Sequence, residues 1–230
     1  MIQNYSDFCD TLLTCGFSMG GGNAKGIFSV IPHSWEQQTG TDSPVKWHTG
    51  DPETDPWEWR MRVLEERNDI AYAKFFFRTS GYITKEWVPY FYAVRRKGES
   101  FVEAFENGTV SQTEKRIYEI ISEGEIALHE IKRMLYIPRE DNAKFERAIV
   151  DLQMRMFITL CGRKQKKNLY GESYGWNSTV FTTTEVFWGK RGLLLQTLEP
   201  AESYDKIKAQ VLKLNPDADP KKIDKFIGGI

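Results

Sequence analysis

The chain has 230 residues, of which 40% are hydrophobic and 27% charged, a composition typical of a globular protein with a buried core. No apolar run approaches the roughly 18 residues that cross a bilayer, and the first residues lack a basic and then apolar leader, so we expect no membrane partner and a cytoplasmic location. The three cysteines are an odd number without metal-type spacing, which predicts reduced thiols and neither a metal nor another cofactor.

The formal net charge of −1 is unevenly distributed along the chain. Residues 1–70 hold 5 Lys and Arg against 11 Asp and Glu, a balance of −6. Residues 111–170 hold 12 against 9, a balance of +3. The basic surplus therefore belongs to the middle of the chain.

The N-terminal part begins with apolar residues at helical spacing, which predict a helix from Tyr5 to Phe17. Glycines at residues 19–26 then predict a loop, and a lone glycine cluster of this kind is a weak signal for a nucleotide. The polar segment that follows, rich in Gly and Pro, predicts irregular structure up to Pro56.

A cluster of three acids and a histidine lies within residues 48–55. Asp55, directly before Pro56, is the N-cap expected at a helix start, and a helix is predicted at Trp57–Glu66. The other three side chains have no such role, and acids beside a histidine are suited to acid–base chemistry. They are therefore candidate catalytic residues: His48, Asp51 and Glu53.

A strand and a helix are predicted next. β-Branched and aromatic residues indicate a strand at Ile70–Phe77, and Arg78–Gly81 indicates a turn before a return strand through Tyr82. Thr84 can cap a helix that ends near Arg95.

The middle of the chain has the parts of a winged helix-turn-helix. Ser111–Glu114 fits a capping box at the start of one helix, a second helix is predicted at about Ala127–Leu135, and Asp141 can cap a third. Strands are predicted at Met156–Cys161 and Ser178–Thr183. We therefore predict an α+β, mainly helical fold with three helices and a two-stranded hairpin at about residues 111–185.

Four cations within residues 163–167 form the predicted basic tip, or wing, of this hairpin, and two more lie on the third helix. Lys and Arg on such elements bind DNA phosphates and release counterions. The candidate DNA-binding residues are Lys144, Arg147, Arg163, Lys164, Lys166 and Lys167. Double-stranded DNA is therefore the expected partner.

The outer face of the third helix centres on Ala143, Arg147, Val150 and Met154, which is apolar for a helix that reads bases. Two interpretations remain: this face packs on the first half of the chain, or the wing carries most of the affinity for DNA. A winged helix used only as a dimerisation or scaffold module is a further alternative.

The C-terminal segment predicts two more helices, an amphipathic one at Pro200–Leu214 and another that begins at Asp219-Pro220. Three units are expected in total. They are an N-terminal helical, winged-helix-like domain at 1–107, a winged-helix domain at 108–190 and a helical tail at 191–230.

Three segments together resemble the bacterial AlkZ-related proteins: Trp47–Arg60, Gly108–Thr113 and Leu152–Trp176. The resemblance spans most of residues 5–190. It implies a fold similar to that of AlkZ- and YcaQ-type DNA glycosylases, in which tandem winged helices cradle duplex DNA and bulky alkylated bases or crosslinks are excised. A second winged-helix-like unit in the first half, and a concave DNA channel between the units, are implied as well.

The glycosylases of this type carry a Gln-x-Gln or Gln-x-Asp motif that positions the attacking water. Neither motif occurs in this sequence, and the nearest match, Gln112-Thr-Glu114, belongs to a predicted helix cap. The resemblance therefore predicts DNA binding related to DNA repair but assigns no catalytic residues.

Two other functions stay open at this point. A winged-helix transcriptional regulator would need a dimer, so that two helices reach half-sites about one DNA turn apart. An enzyme acting on a small molecule through His48, Asp51 and Glu53 would need a pocket lined by those side chains. The sequence leaves the oligomeric state and the recognised lesion open.

Overall fold

The computed structural model describes residues 2–21, 26–31, 44–168, 170–196 and 198–229 of an α+β protein. Residues 22–25 of the predicted glycine loop, and much of the polar segment after it, lie outside these ranges. The helices are α1 (Tyr5–Cys15), α2 (Pro56–Glu66), α3 (Val88–Arg96), α4 (Phe101–Glu106), α5 (Gln112–Ser122), α6 (Leu128–Met134), α7 (Asn142–Met154), α8 (Thr184–Gly189), α9 (Pro200–Leu214) and α10 (Pro220–Gly228). The strands are β1 (Phe17–Met19), β2 (Ile70–Phe76), β3 (Thr79–Thr84), β4 (Ile126–Ala127), β5 (Ile158–Lys164) and β6 (Ser178–Thr183).

The chain repeats one order of elements. The first half, from α1 to β3, forms an antiparallel sheet with strand order β1-β3-β2, and the second half, from α5 to β6, forms one with order β4-β6-β5. In each half a helix precedes the first strand, and another helix leads directly into the hairpin of the last two strands. Helix α6 adds a further element to the second half.

Helix α1 is shorter than predicted and ends at Cys15. Gly16, at a φ of 90°, closes the helix by donating its amide to the Leu12 carbonyl. Glycine tolerates this backbone conformation, which L side chains rarely adopt. Phe17 therefore begins β1 instead of ending the helix.

The turn between β2 and β3 was predicted at Arg78–Gly81, and that prediction is wrong. The turn residues are Phe77 and Arg78, with φ of 50° and 61°, and β3 already begins at Thr79. Gly81 lies inside the strand, and a Cβ at this position would sit 2.4 Å from the ring of Phe76. Its role is close packing between strands, which the sequence signal for a turn does not distinguish.

The predicted side-chain cap by Thr84 is also wrong. Helix α3 begins at Val88, and Pro89 in its first turn fits the helix start without any hydroxyl cap. The backbone carbonyl of Thr84 accepts from the Trp87 amide, while Thr84 Oγ1 is buried without a hydrogen-bond partner in the described ranges.

The three helices and the hairpin predicted at 111–185 are confirmed. Ser111 and Glu114 form the expected capping box, and the predicted inner face of α7 is buried, with Phe145 and Leu152 nearly inaccessible. Asp141, however, makes no side-chain cap, because a turn of 3-10 helix at Arg139–Asp141 leads into α7 instead. Strand β4 was not predicted; its two residues pair with β6.

The apolar end of α7 packs on the first half, as one of the two interpretations of its outer face expected. Met154 is buried, and the side chain of Gln153 accepts from the Lys74 amide of β2 at 3.0 Å. An ion pair between Arg78 and Asp151, at 2.5 Å, joins the same surfaces. The C-terminal part of α7 is therefore part of the interior.

Helices α9 and α10, both as predicted, pack against α3, and Phe226 of α10 stacks on Phe76 with ring centroids 4.0 Å apart. One hydrophobic cluster includes residues from both halves and from these two helices. The domain boundaries near residues 107 and 190 stay a prediction.

Candidate nucleic-acid interface

The three candidate catalytic residues before α2 are exposed on a loop, and the carboxylates serve the loop's own structure. Asp51 accepts from the Glu53 amide and the Thr54 hydroxyl, and the first of these bonds is the main reason why its pKa is lowered. Glu53 pairs with Arg62 at 2.9 Å. The ring of His48 packs on Trp57 with centroids 4.5 Å apart.

Asp55 organises this loop from a fully buried position. Its carboxylate accepts from the amide of Trp57 at 2.8 Å, which is the N-cap bond predicted from the sequence. The amides of His48 and Gly50 donate to the same carboxylate, each at 2.9 Å. The loop is thus held in place by a capping residue, and the catalytic role of His48, Asp51 and Glu53 stays a prediction.

Two of the four predicted wing cations lie in strand β5 and not in the turn, and both have acidic partners. Arg163 pairs with Glu65 of α2 at 3.0 Å, and its Nη1 lies 3.6 Å from a carboxylate oxygen of Glu58 in the same helix. Lys164 pairs with Glu130 of α6 at 2.7 Å. The prediction that all four cations lie on one exposed turn is therefore wrong, because β5 extends three residues further than predicted.

The other four predicted DNA-binding residues have no ion pair within the part of the chain that the structure describes: Lys144, Arg147, Lys166 and Lys167. Lys144 and Arg147 are exposed on the N-terminal part of α7, away from the end that packs on the first half. Lys166 and Lys167 follow β5 in the hairpin loop, which continues to residue 177. These four cations are therefore available for an anionic partner.

The same hairpin loop exposes three large aromatic side chains that the sequence analysis did not single out. The exposed fractions are 87% for Tyr170, 52% for Tyr174 and 89% for Trp176. Aromatic residues beside Lys in a loop are a signal for stacking on nucleic-acid bases. The loop thus combines charge with flat apolar surfaces.

Lys74 is a further residue that sequence reasoning missed. It lies in the apolar strand β2 and lines a cavity of about 180 Å³ between the two halves. Burial, and then the positive charge of Arg60, lower the pKa of its amine. A lysine inside an apolar strand is the only sign of this position in the sequence.

Within the described ranges, no group of three or more His, Cys, Asp or Glu side chains could hold a metal ion. None of the helices described here is long and apolar enough to cross a bilayer.

These features define an α+β protein of two similarly ordered helix-and-hairpin halves, the second with a cationic, aromatic hairpin loop. The chain belongs to the AlkZ-related family, whose sequence model matches residues 2–228. The resemblance inferred from the three segments is thereby confirmed. A search of curated proteins found no match.

One solved structure that aligns with this chain is the DNA glycosylase AlkZ of Streptomyces sahachiroi. The alignment has a TM-score of 0.42 and 12% sequence identity, and it covers 76% of this chain and 51% of the glycosylase. The chain therefore spans about half the length of that enzyme.

Proposed function

We propose that this protein binds double-stranded DNA and acts in the repair of alkylated bases. The observation that carries the proposal is the set of four cations without ion pairs in the described residues, two on α7 and two in the hairpin loop. Cations of this kind supply most of the affinity for the phosphate backbone. Membership of the AlkZ-related family supports DNA as the anion, since the AlkZ of S. sahachiroi is named a DNA glycosylase.

In this proposal the second half is a winged helix and the first half is a related unit. Support comes from the order of elements in the second half, where a helix and a short strand precede two helices and a hairpin. The equal strand order of the two sheets supports a tandem arrangement. DNA would then lie along the second half, with the hairpin loop as the wing.

Helix α7 would contact DNA through its N-terminal part only. Its other end is occupied by the contacts of Gln153 and Met154 with the first half. Arg147 and Lys144 point to a phosphate-binding role, because two cations on a short exposed segment offer few groups for reading bases. Binding is therefore expected to depend weakly on DNA sequence.

The aromatic loop gives the hairpin a second role in this proposal. Trp176 and Tyr170 are exposed enough to stack on a base or to enter an opened base step at a lesion. A bulky alkylated base weakens stacking and pairing locally, so its site is opened at lower cost. Preference for damaged over intact duplex would follow.

An electrophoretic mobility-shift assay at two salt concentrations tests the proposal. It uses two matched duplexes, one intact and one with a single alkylated base. We expect binding to both, tighter to the damaged duplex, and weaker at high salt. Absence of binding at low salt would refute it. Sizing of the protein in solution distinguishes this proposal from a transcriptional regulator. A regulator requires a dimer, so a strict monomer would contradict that alternative.

A further inference from the structure

The cavity that contains Lys74 lies where the two halves meet. Tyr72 and Ser80 come from the first half, and Val150 of α7 and Thr179 of β6 from the second. Its volume of about 180 Å³ is below the roughly 300 Å³ at which small-molecule pockets usually begin. A cavity of this size suits a sugar that has lost its base better than a whole nucleotide.

The amine of Lys74 has no hydrogen-bond or ion-pair partner anywhere in the described ranges. Its backbone amide donates to the side-chain oxygen of Gln153 at 3.0 Å, which ties this position of β2 to α7. Glu146 lines the same cavity, but its carboxylate is paired with Lys132 at 2.5 Å. Lys74 is half-buried, so the charged form of its amine loses part of its hydration without gaining a partner.

An amine in such surroundings has chemistry that exposed lysines lack. Burial, with the nearby Arg60, lowers the pKa of Lys74 and so raises the fraction of neutral amine at a given pH. A neutral amine with a free electron pair is a nucleophile for carbonyl carbon. DNA offers such a carbon where a base has been lost, since the open-chain deoxyribose carries an aldehyde at C1′.

We propose, on the basis of the proposed DNA binding, that Lys74 forms a Schiff base with the aldehyde of an abasic site in DNA. The nitrogen of Lys74 attacks C1′, and the carbonyl oxygen takes up a proton to give a carbinolamine. Loss of water from the carbinolamine then forms the C=N bond. Addition of water reverses the step and returns both the lysine and the aldehyde, so no oxidant or reductant is consumed.

Borohydride trapping tests this step. The full-length protein is mixed with a duplex that holds one aldehydic abasic site, and sodium borohydride reduces any imine to a stable secondary amine. We expect a covalent protein–DNA band on a denaturing gel, with peptide mapping that places the DNA on Lys74. Lys74→Met and Lys74→Arg should lower the yield at least tenfold, whereas Lys213→Met, an exposed control on α9, should not.

A second duplex separates this inference from the proposed function. It carries a tetrahydrofuran in place of the abasic sugar and has no aldehyde, so it reports binding alone. Lys74→Arg keeps a positive charge and should bind this duplex like the parent while failing to crosslink. Binding by the parent without any crosslink, or a crosslink that persists in Lys74→Arg, would overturn the role of Lys74 and leave the proposed function standing. Absence of binding would overturn both.

Discussion

The carboxylate of Asp55 accepts a hydrogen bond from the backbone amide of His48 at 2.9 Å, across seven residues of chain. The same carboxylate accepts from Gly50 in the loop and from Trp57 in the first turn of α2. His48 has a φ of 62°, a conformation that is uncommon for residues other than glycine. One buried side chain therefore both starts the helix and holds the preceding loop.

Replacing Asp55 by alanine should destabilise the protein by roughly 3 kcal/mol, since three backbone amides lose a charged acceptor and each such bond contributes roughly 1 kcal/mol or more. Urea unfolding measures this. The exposed Asp51→Ala is the matched control and should change the free energy of unfolding much less. A loss near 1 kcal/mol for Asp55→Ala would mean that the helix cap alone contributes.

Arg95 is expected to be the most sensitive charged residue of the C-terminal interface. Its guanidinium donates to four backbone carbonyls, those of Phe75, Met154, Phe226 and Ile227, at 2.9 to 3.0 Å. Arg95→Met would leave these acceptors buried without donors, which should cost more than about 3 kcal/mol in the free energy of unfolding.

Arg95→Lys is the informative partner variant, because a single ammonium cannot span all four carbonyls in the geometry of a planar guanidinium. Its stability should lie between those of the parent and Arg95→Met. Equal stability of the parent and Arg95→Met in thermal unfolding would show that these carbonyls find other donors.

Local patterns predicted most of the elements correctly. The capping box at Ser111, the N-cap at Asp55 and the hydrophobic spacing of α7 each fix a helix from residues close in sequence. The turn at Phe77 and Arg78 was missed because its residues adopt positive φ without the Gly or Asn that usually marks such turns.

The site was harder to predict, because its chemistry depends on distant partners. Arg163 is neutralised by Glu65, 98 residues away, and nothing near either residue indicates the pair. Lys74 gains its unpaired position only when α7 and β6 close over β2. The inner face of α7 was predicted correctly. For the outer face, the sequence alone could not decide whether DNA or protein covers it.

The salt dependence of DNA binding tests the cations that the structure leaves unpaired in its described part. Four phosphate contacts from these residues should give a slope of log affinity against log salt of about −3.6, at roughly 0.9 per phosphate. Changing all four to Gln should flatten the slope and weaken binding about equally for any sequence. The variant combines the substitutions Lys144→Gln, Arg147→Gln, Lys166→Gln and Lys167→Gln.

The matched control is the double variant Arg163→Gln with Lys164→Gln. Both side chains already have acidic partners at 3.0 and 2.7 Å, so their removal should change the slope by less. A larger effect from this pair than from the other four would contradict the assignment and show that DNA replaces the acidic partners.

The last prediction concerns the stability that the protein loses by keeping Lys74 in its cavity. The folded-state pKa of this amine lies below its unfolded value, which is about 10.4, because burial and Arg60 both disfavour the charged form. At neutral pH the unfolded state therefore binds this proton more strongly, which lowers the free energy of unfolding. As the pH rises from the folded pKa to the unfolded pKa, this destabilisation decreases to zero.

Lys74→Met should accordingly be more stable than the parent at pH 7, and the difference should shrink as the pH approaches the unfolded pKa. Glu146, the carboxylate that lines the same cavity, could offset part of the effect if its pair with Lys132 opened. Thermal unfolding between pH 7 and pH 10.5 measures the difference, with the exposed Lys213→Met as the control. A destabilised Lys74→Met at pH 7 would show that the lysine contributes to folding and is not held there at the expense of stability. A stabilised variant that no longer forms the borohydride crosslink would instead show that stability is given up at this position for reactivity.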